Sequence, residues 1–227
     1  TYLIGVRFTT KMSRQSQCMV YFDWGGVIRS LHDDEMFDDI AMTCRVPRRA
    51  VDAIWKDLGP QLTRAEISEV EFWTRLAREN LIALPDGYND LFTRVYREKS
   101  RLNQPVIDLL DRLKGAGYMT GLLSNTTPVH MDFFFKNPAW SQYGRFNPIV
   151  ASPMASAKKG DEGHRIYQVA EGLVQQKTIF FADDQKKYAL DITAELNARP
   201  DAGKRWIGIW TPDFDAVAPT IEDALRK

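Results

Sequence analysis

Five short apolar runs punctuate the chain, at Cys18–Asp23, Tyr118–Ser124, Pro148–Ala151, Thr178–Ala182 and Arg205–Trp210. Each is rich in Val, Ile, Leu or aromatic residues and is bounded by polar or turn-forming residues, the signature of a strand buried on both faces. Helical patterns alternate with the later runs, near Asn103–Ala116, Pro128–Lys136, Asp161–Gly172 and Gln185–Asn197. Lys114-Gly115-Ala116-Gly117 reads as a helix C-cap ahead of the second strand. This alternation predicts an α/β fold, a doubly wound parallel sheet with helices on both faces.

Residues 31–98 break the rhythm. They contain no strand-like run and instead show amphipathic helical patterns at Asp33–Cys44, Pro47–Leu58, Ile67–Glu79 and Gly87–Lys99. Ile67, Val70, Trp73, Leu76 and Ala77 follow the three-four spacing that lines one helix face. The simplest organisation is a core made of residues 12–30 and 99–227, with an inserted α-helical module over 31–98. Extra helices packed on the same core are the plainer alternative.

Composition narrows the class. Hydrophobic residues make up 44% of the 227 residues, an ordinary globular share. Thirty basic residues balance thirty acidic ones, which gives no argument for nucleic acid or for an anionic membrane surface. A small anionic substrate needs only a few local charges and stays open. Two cysteines, Cys18 and Cys44, are too few for a disulfide framework or a zinc site, and a reducing, cytoplasmic compartment fits. No apolar run approaches a membrane span, and Thr1–Lys11 lacks the layout of a signal peptide. Met12 offers a possible start. Oligomeric state leaves no mark on the sequence.

In open parallel sheets ligands bind beyond the carboxyl ends of the strands. After the first strand comes Asp23-Trp24-Gly25-Gly26, after the second Ser124-Asn125-Thr126-Thr127, after the third Lys158-Lys159, and after the fourth Asp183-Asp184. Singly, these read as turn residues, helix caps and solvated loops. Together they gather carboxylates, a hydroxyl, an amide and an ammonium at one sheet edge. Clustered carboxylates repel unless a cation or proton sits among them, and an oxygen-rich set with few protein ligands suits Mg²⁺. The Lys, Ser and Asn suit phosphoryl oxygens.

The order FDWGG, LLSNTT, KK and FFADD resembles the four motifs of haloacid-dehalogenase-like (HAD-like) hydrolases of the helical-cap phosphatase type, from Val20 to about Leu196. Glu66–Trp73 is similar to cap sequence of that superfamily. The resemblance implies that Asp23 attacks phosphorus and forms an aspartyl-phosphate. It implies that Asp23, the carbonyl of Gly25 and Asp184 hold Mg²⁺, with Asp183 as a further ligand or a supporting acceptor. Ser124 and Asn125 would hold the phosphoryl group, Trp24 would shape the pocket, and Lys159 or Lys158 would neutralise charge. The implied substrate is a small phosphorylated metabolite, sugar phosphates included.

Two departures stand out. Where most phosphatases of the family carry a general-acid Asp, two residues after the nucleophile, this chain has Gly25. Such an acid contributes about 10²–10⁴-fold, so a slow enzyme, a substituted acid or a good leaving group is expected. His32 is one conceivable substitute. The Lys158-Lys159-Gly160-Asp161 segment also lacks the Pro usual after the motif lysine. Phe22-Asp23-Trp24-Gly25-Gly26 resembles phosphonoacetaldehyde hydrolases too, for which Lys56 is the available cap lysine. Loss of the acid is also compatible with a binding or regulatory protein.

Overall fold

Strand β1 (Cys18–Phe22) is the middle of a five-stranded, all-parallel sheet with β2 (Met119–Ser124), β3 (Ile149–Ala151), β4 (Thr178–Asp183) and β5 (Arg205–Trp210), in the order β3-β2-β1-β4-β5. The computed structural model describes residues 17–30, 33–136 and 142–227. The start considered at Met12, and His32, lie outside these residues. Along β1, Val20 and Phe22 face one apolar layer while Met19 and Tyr21 face the other, the two-residue period of a pleated strand. Val20 and Phe22 join a cluster with α5 (Gln104–Gly115) and α10 (Val217–Arg226). Met19 and Tyr21 join one with α8 (Arg165–Gly172) and α9 (Ile192–Asn197). Both faces are therefore covered, which is why the strands are largely apolar rather than alternating.

Chain order along the sheet reverses at β1, whose neighbours are β2 and β4. The crevice between the ends of β1 and β4 is the topological switch point, where side chains from separate loops can converge.

Among the described residues, four α-helices lie between β1 and α5: α1 (Asp33–Cys44), α2 (Arg48–Thr63), α3 (Glu69–Asn80) and α4 (Leu91–Lys99). They share a third apolar cluster built on Phe37, Ile54, Phe72, Trp73 and Phe92. Helix α2 runs past the expected end at Leu58, through Gly59 and Pro60. Gly59 is needed there, because a Cβ would stand 2.8 Å from the Trp55 ring. Pro60 removes one amide donor, but Gln61 Nε2 and Thr63 Oγ1 bond back to the carbonyls of Asp57 and Gly59 at 3.3 and 2.6 Å. The extra turn carries Thr63 and Arg64 toward the sheet edge.

Three further helix starts differ from the sequence expectation. The helix expected from Gly87 starts at Leu91, after a 3₁₀ turn at Tyr88–Asp90. The helix expected from Asp161 starts at Arg165, after a 3₁₀ turn in which Gly163 has φ +76°. The helix expected from Gln185 opens with a π-helical turn at Lys187–Asp191 before α9. That wide turn presses the Ala189 carbonyl against β5, where a Cβ on Gly208 would lie 1.6 Å from the carbonyl oxygen. No helix among the described residues is long and apolar enough to cross a membrane.

Glu69, at the start of α3, is buried and accepts a hydrogen bond from Trp73 Nε1 at 2.8 Å. Burial pushes its carboxyl up to about 7. From about pH 4.5 to about 7 the unfolded chain releases this proton before the folded one does, so stability falls across that window and levels off above it. Glu69→Gln keeps an acceptor for Trp73 and removes the charge. Thermal or urea unfolding is expected to show the variant more stable at pH 8, by about 2–3 kcal/mol, and little changed near pH 4.

Candidate active site

Asp23 follows β1 and Asp183 ends β4, so the switch-point crevice places their carboxylates side by side. Backbone pairing holds them in register: the Asp23 amide donates to the Ala182 carbonyl at 2.9 Å. The Lys159 ammonium lies between them, 2.8 Å from Asp23 Oδ2 and 2.5 Å from Asp183 Oδ2. All three are out of solvent, with exposures of 6% for Asp23, 0% for Asp183 and 2% for Lys159. Backbone amides take the outer carboxylate oxygens: Trp24 N donates to Asp23 Oδ1 at 2.7 Å and Gln185 N to Asp183 Oδ1 at 2.8 Å.

Burial opposes the charge of Lys159, but Asp183 and Asp23 outweigh it and hold the ammonium above the ordinary lysine range. Asp183 is drawn both ways. Burial, with the Asp23 anion, pushes it up to about 8, against the downward pull of Lys159. The contact at 2.5 Å and the Gln185 amide describe a carboxylate held as an ion pair. Asp184 faces the cavity without that partner, and burial with the Asp23 anion pushes it up to about 6.

One ligand atom each from Asp23, Asp183 and Asp184 lies within 4.8 Å of the others. Three carboxylates against one ammonium leave this corner two charges short of neutrality. An all-oxygen donor set with that deficit fits a divalent hard cation such as Mg²⁺.

The two lysines have different surroundings. Lys159 carries the ion pairs, and its amide donates to Asn125 Oδ1 at 2.9 Å. Its ammonium also stands 4.9 Å from the centre of the Tyr188 ring, which is set by the π-helical turn. Lys158 lines the cavity, and its amide donates to Asp161 Oδ2 at 2.7 Å. The same Asp161 carboxylate receives Arg64 of the α2 end in a bidentate pair, at 2.7 and 2.6 Å. The helical module is thereby tied to the loop that carries Lys159.

A cavity of about 570 Å³ opens over the carboxylates. Of the residues singled out in the sequence, Asp23, Trp24, Gly25, Asn125, Lys158, Lys159 and Asp184 line it. Ser124 departs from the sequence expectation. It is buried at the end of β2 with its hydroxyl on the Asn125 carbonyl at 3.2 Å, and Asn125, Thr126 and Thr127 form the wall there. Ser152, unmarked in the sequence, braces this segment by exchanging hydrogen bonds with Thr126 N and O at 2.9 and 3.0 Å. His130 lines the same cavity beside Tyr96, with burial holding its imidazole down at about 4. Asp191 is exposed and is not one of the carboxylates gathered at the metal corner. The Arg64–Asp161 pair and the cavity faces of Trp55 and Phe92 have no signal in sequence, because each joins segments distant along the chain.

The two glycines after Trp24 differ in what their positions require. Gly25 has no heavy atom of the described residues within 4 Å of where a Cβ would stand, so its packing does not require glycine. Gly26 has φ +71°, and a Cβ would fall 2.4 Å from Asp184 Cγ. Close approach at this turn is thus a property of Gly26, whereas Gly25 leaves open space beside the carboxylates.

Comparison with protein-family models finds no match, and comparison with curated proteins finds none. Among solved structures the chain is similar to a predicted HAD-like family hydrolase from Porphyromonas gingivalis, at 22% identity and TM-score 0.67, covering 92% of this chain and 98% of that one. It is also similar to a HAD family enzyme of Bacteroides thetaiotaomicron in complex with magnesium and inorganic phosphate, at 18% identity and TM-score 0.63, covering 86% and 95%. An L-2-haloacid dehalogenase matches at 17% identity and TM-score 0.53, covering 88% and 98%. The chain has the fold of the HAD-like hydrolases.

Gly26→Ala is expected to destabilise the protein by more than about 1–2 kcal/mol, the cost of a left-handed L-residue, with the Asp184 contact adding to it. Gly25→Ala should stay close to wild type in stability. Urea denaturation of the two variants side by side measures the difference.

Proposed function

We propose that this protein is a Mg²⁺-dependent phosphomonoester hydrolase of the HAD-like superfamily. The observation that carries the reading is the buried Asp23–Lys159–Asp183 arrangement, with Asp184 facing the same cavity at the switch point. Residues 31–98 act as a cap over the core of residues 12–30 and 99–227, and the substrate enters between them.

Asp23 is the nucleophile. Its Oδ1 is oriented by the Trp24 amide and its Oδ2 by Lys159, so attack on phosphorus begins from a fixed geometry. Asp23, Asp184 and the Gly25 carbonyl would hold Mg²⁺, while Asp183 anchors Lys159 from behind. Bound there, the metal supplies positive charge between the Asp23 anion and the phosphoryl dianion, which otherwise repel. Asn125, whose Oδ1 is engaged by the Lys159 amide, presents its Nδ2 to a phosphoryl oxygen, and the Thr126–Thr127 segment completes the cradle. Lys159 spreads its charge over the reacting oxygens. Water then attacks phosphorus in the aspartyl-phosphate and frees Asp23 and phosphate. The Arg64–Asp161 pair holds the helices closed over the cavity, excluding bulk water.

The negative balance of the Asp23, Asp183 and Asp184 corner favours metal-assisted phosphoryl transfer over displacement of halide. Schiff-base chemistry on a phosphonate is disfavoured because Lys56 is exposed on α2 and does not line the cavity.

Phosphate release from a panel of phosphomonoesters is expected with Mg²⁺ and not with EDTA, and Asp23→Asn should reduce it to background. Asp184→Asn should weaken Mg²⁺ binding, measured by calorimetry, by at least about tenfold. Mg²⁺ binding with no release from any ester would point instead to a binding protein on this fold.

A further inference from the structure

The cavity has two unlike walls. The sheet edge contributes the carboxylates, the lysines and the Asn125–Thr127 segment. The helical module contributes Met36, Trp55, Phe92 and Tyr96. Trp55 is held by rings on three sides, with centroids 5.1 Å from Phe37, 6.1 Å from Phe72 and 5.7 Å from Phe92. Gly59 is the residue that makes room for it. Trp24 and Tyr188 continue the aromatic surface down to the core side.

Two polar side chains on the helical wall are already engaged. Thr63 Oγ1 donates to the Gly59 carbonyl at 2.6 Å, and Asp34, at the rim, is paired with Arg48 at 2.8 Å. Among the described residues, no lining residue of the helical module is cationic. Both lining lysines belong to the core loop, and Lys159 is committed to Asp23 and Asp183. A second anionic group would therefore meet mostly aromatic rings and carboxylates, with Lys158 of the core loop as the cation left to pair with it. A polyhydroxylated group resting against Met36, Trp55 and Phe92 would lose water without gaining matched partners from that wall.

Position 25 supplies a separate observation. It lines the cavity beside Asp23, has room for a side chain, and holds glycine, which transfers no proton. His130 stays neutral near pH 7, because burial keeps its pKa at about 4, and so is not a proton donor there. An alkoxide leaving group, derived from a hydroxyl with a pKa near that of water at about 15.7, needs such a donor. A phenol ionises near pH 10, as tyrosine does, and its oxide departs far more readily without one.

We propose that the substrate is a phosphomonoester of an uncharged aromatic hydroxyl compound, whose ring packs on the Met36–Trp55–Phe92 wall and whose aryloxide leaves without a proton from the protein. This rests on the phosphatase reading above and narrows it away from sugar phosphates. In the first step an Asp23 carboxylate oxygen bonds to phosphorus as the aryl O–P bond breaks, and the bonding pair leaves on the aryl oxygen, which takes a proton from solvent. In the second, water bonds to phosphorus, the Asp23 carboxylate departs with its electron pair, and the proton of the water passes to solvent. The sum is aryl phosphate plus water giving phenol plus inorganic phosphate.

The test is steady-state phosphate release, with Mg²⁺, from ring-substituted phenyl phosphates, 1-naphthyl phosphate, benzyl phosphate and glycerol 3-phosphate. Wild type is expected to favour 1-naphthyl over glycerol 3-phosphate in kcat/KM by about 10²-fold or more, and to speed up steeply as the leaving phenol becomes more acidic. Benzyl phosphate, which has the ring but not the phenol, should show a low KM with a low kcat. Gly25→Asp should flatten the dependence on phenol acidity and narrow the gap to glycerol 3-phosphate. Trp55→Leu should raise KM for 1-naphthyl phosphate more than for glycerol 3-phosphate. The wild-type series decides the matter even if either variant fails to fold. A preference for glycerol 3-phosphate would overturn the proposal while leaving the phosphatase reading intact. A flat wild-type dependence on phenol acidity would overturn it too, and would point to a protein donor such as Lys158. No release from any ester defeats the phosphatase reading and this proposal with it.

Discussion

A lysine ammonium at 2% exposure, between two carboxylates also withdrawn from water, is the contact on which the rest of the site depends. Removing such charges from solvent costs several kcal/mol for each ion, and only close pairing with further hydrogen bonds offsets it. Here the offset comes from two ion pairs on Lys159, backbone amides on the outer oxygens of Asp23 and Asp183, and the Tyr188 ring face. The sheet makes this possible, because parallel pairing of β1 with β4 brings both carboxylates to one edge at fixed spacing. Asp184 has no such pairing, and the deficit it leaves gives the corner its demand for a divalent cation.

Local backbone irregularities serve this corner. Gly26 turns left-handed so that Asp184 can approach, and Gly208 lets the Ala189 carbonyl press against β5, permitting the wide turn that aims Tyr188 at Lys159. Bidentate pairing of Arg64 with Asp161 transmits the position of the α2 end to the lysine loop. The helices and the sheet edge therefore define one cavity, polar where charge would be handled and aromatic where the remainder of a ligand would rest.

The strands were legible because a sheet buried on both faces requires unbroken apolar runs, and β5 begins and ends where its run does. The carboxylates and lysines were legible because parallel topology assigns every strand end to the same edge. Helix starts at Asp161 and Gln185 were not. Asp161 is committed to Arg64, 97 residues away, and Gln185 precedes a turn widened by contact with β5. No local pattern encodes either partner.

By itself the sequence determined the α/β alternation, the helical interval after the first strand, and the set of charged residues at the strand ends, since these follow from periodicity and chain order. Tertiary structure alone decided that Lys159 rather than Lys158 bridges Asp23 and Asp183, that Gly26 rather than Gly25 must be glycine, that Ser124 is buried, and that Trp55 and Phe92 line the cavity over the carboxylates. Each of these depends on which distant atoms come within a few ångströms, a quantity fixed by packing and not by composition or spacing along the chain.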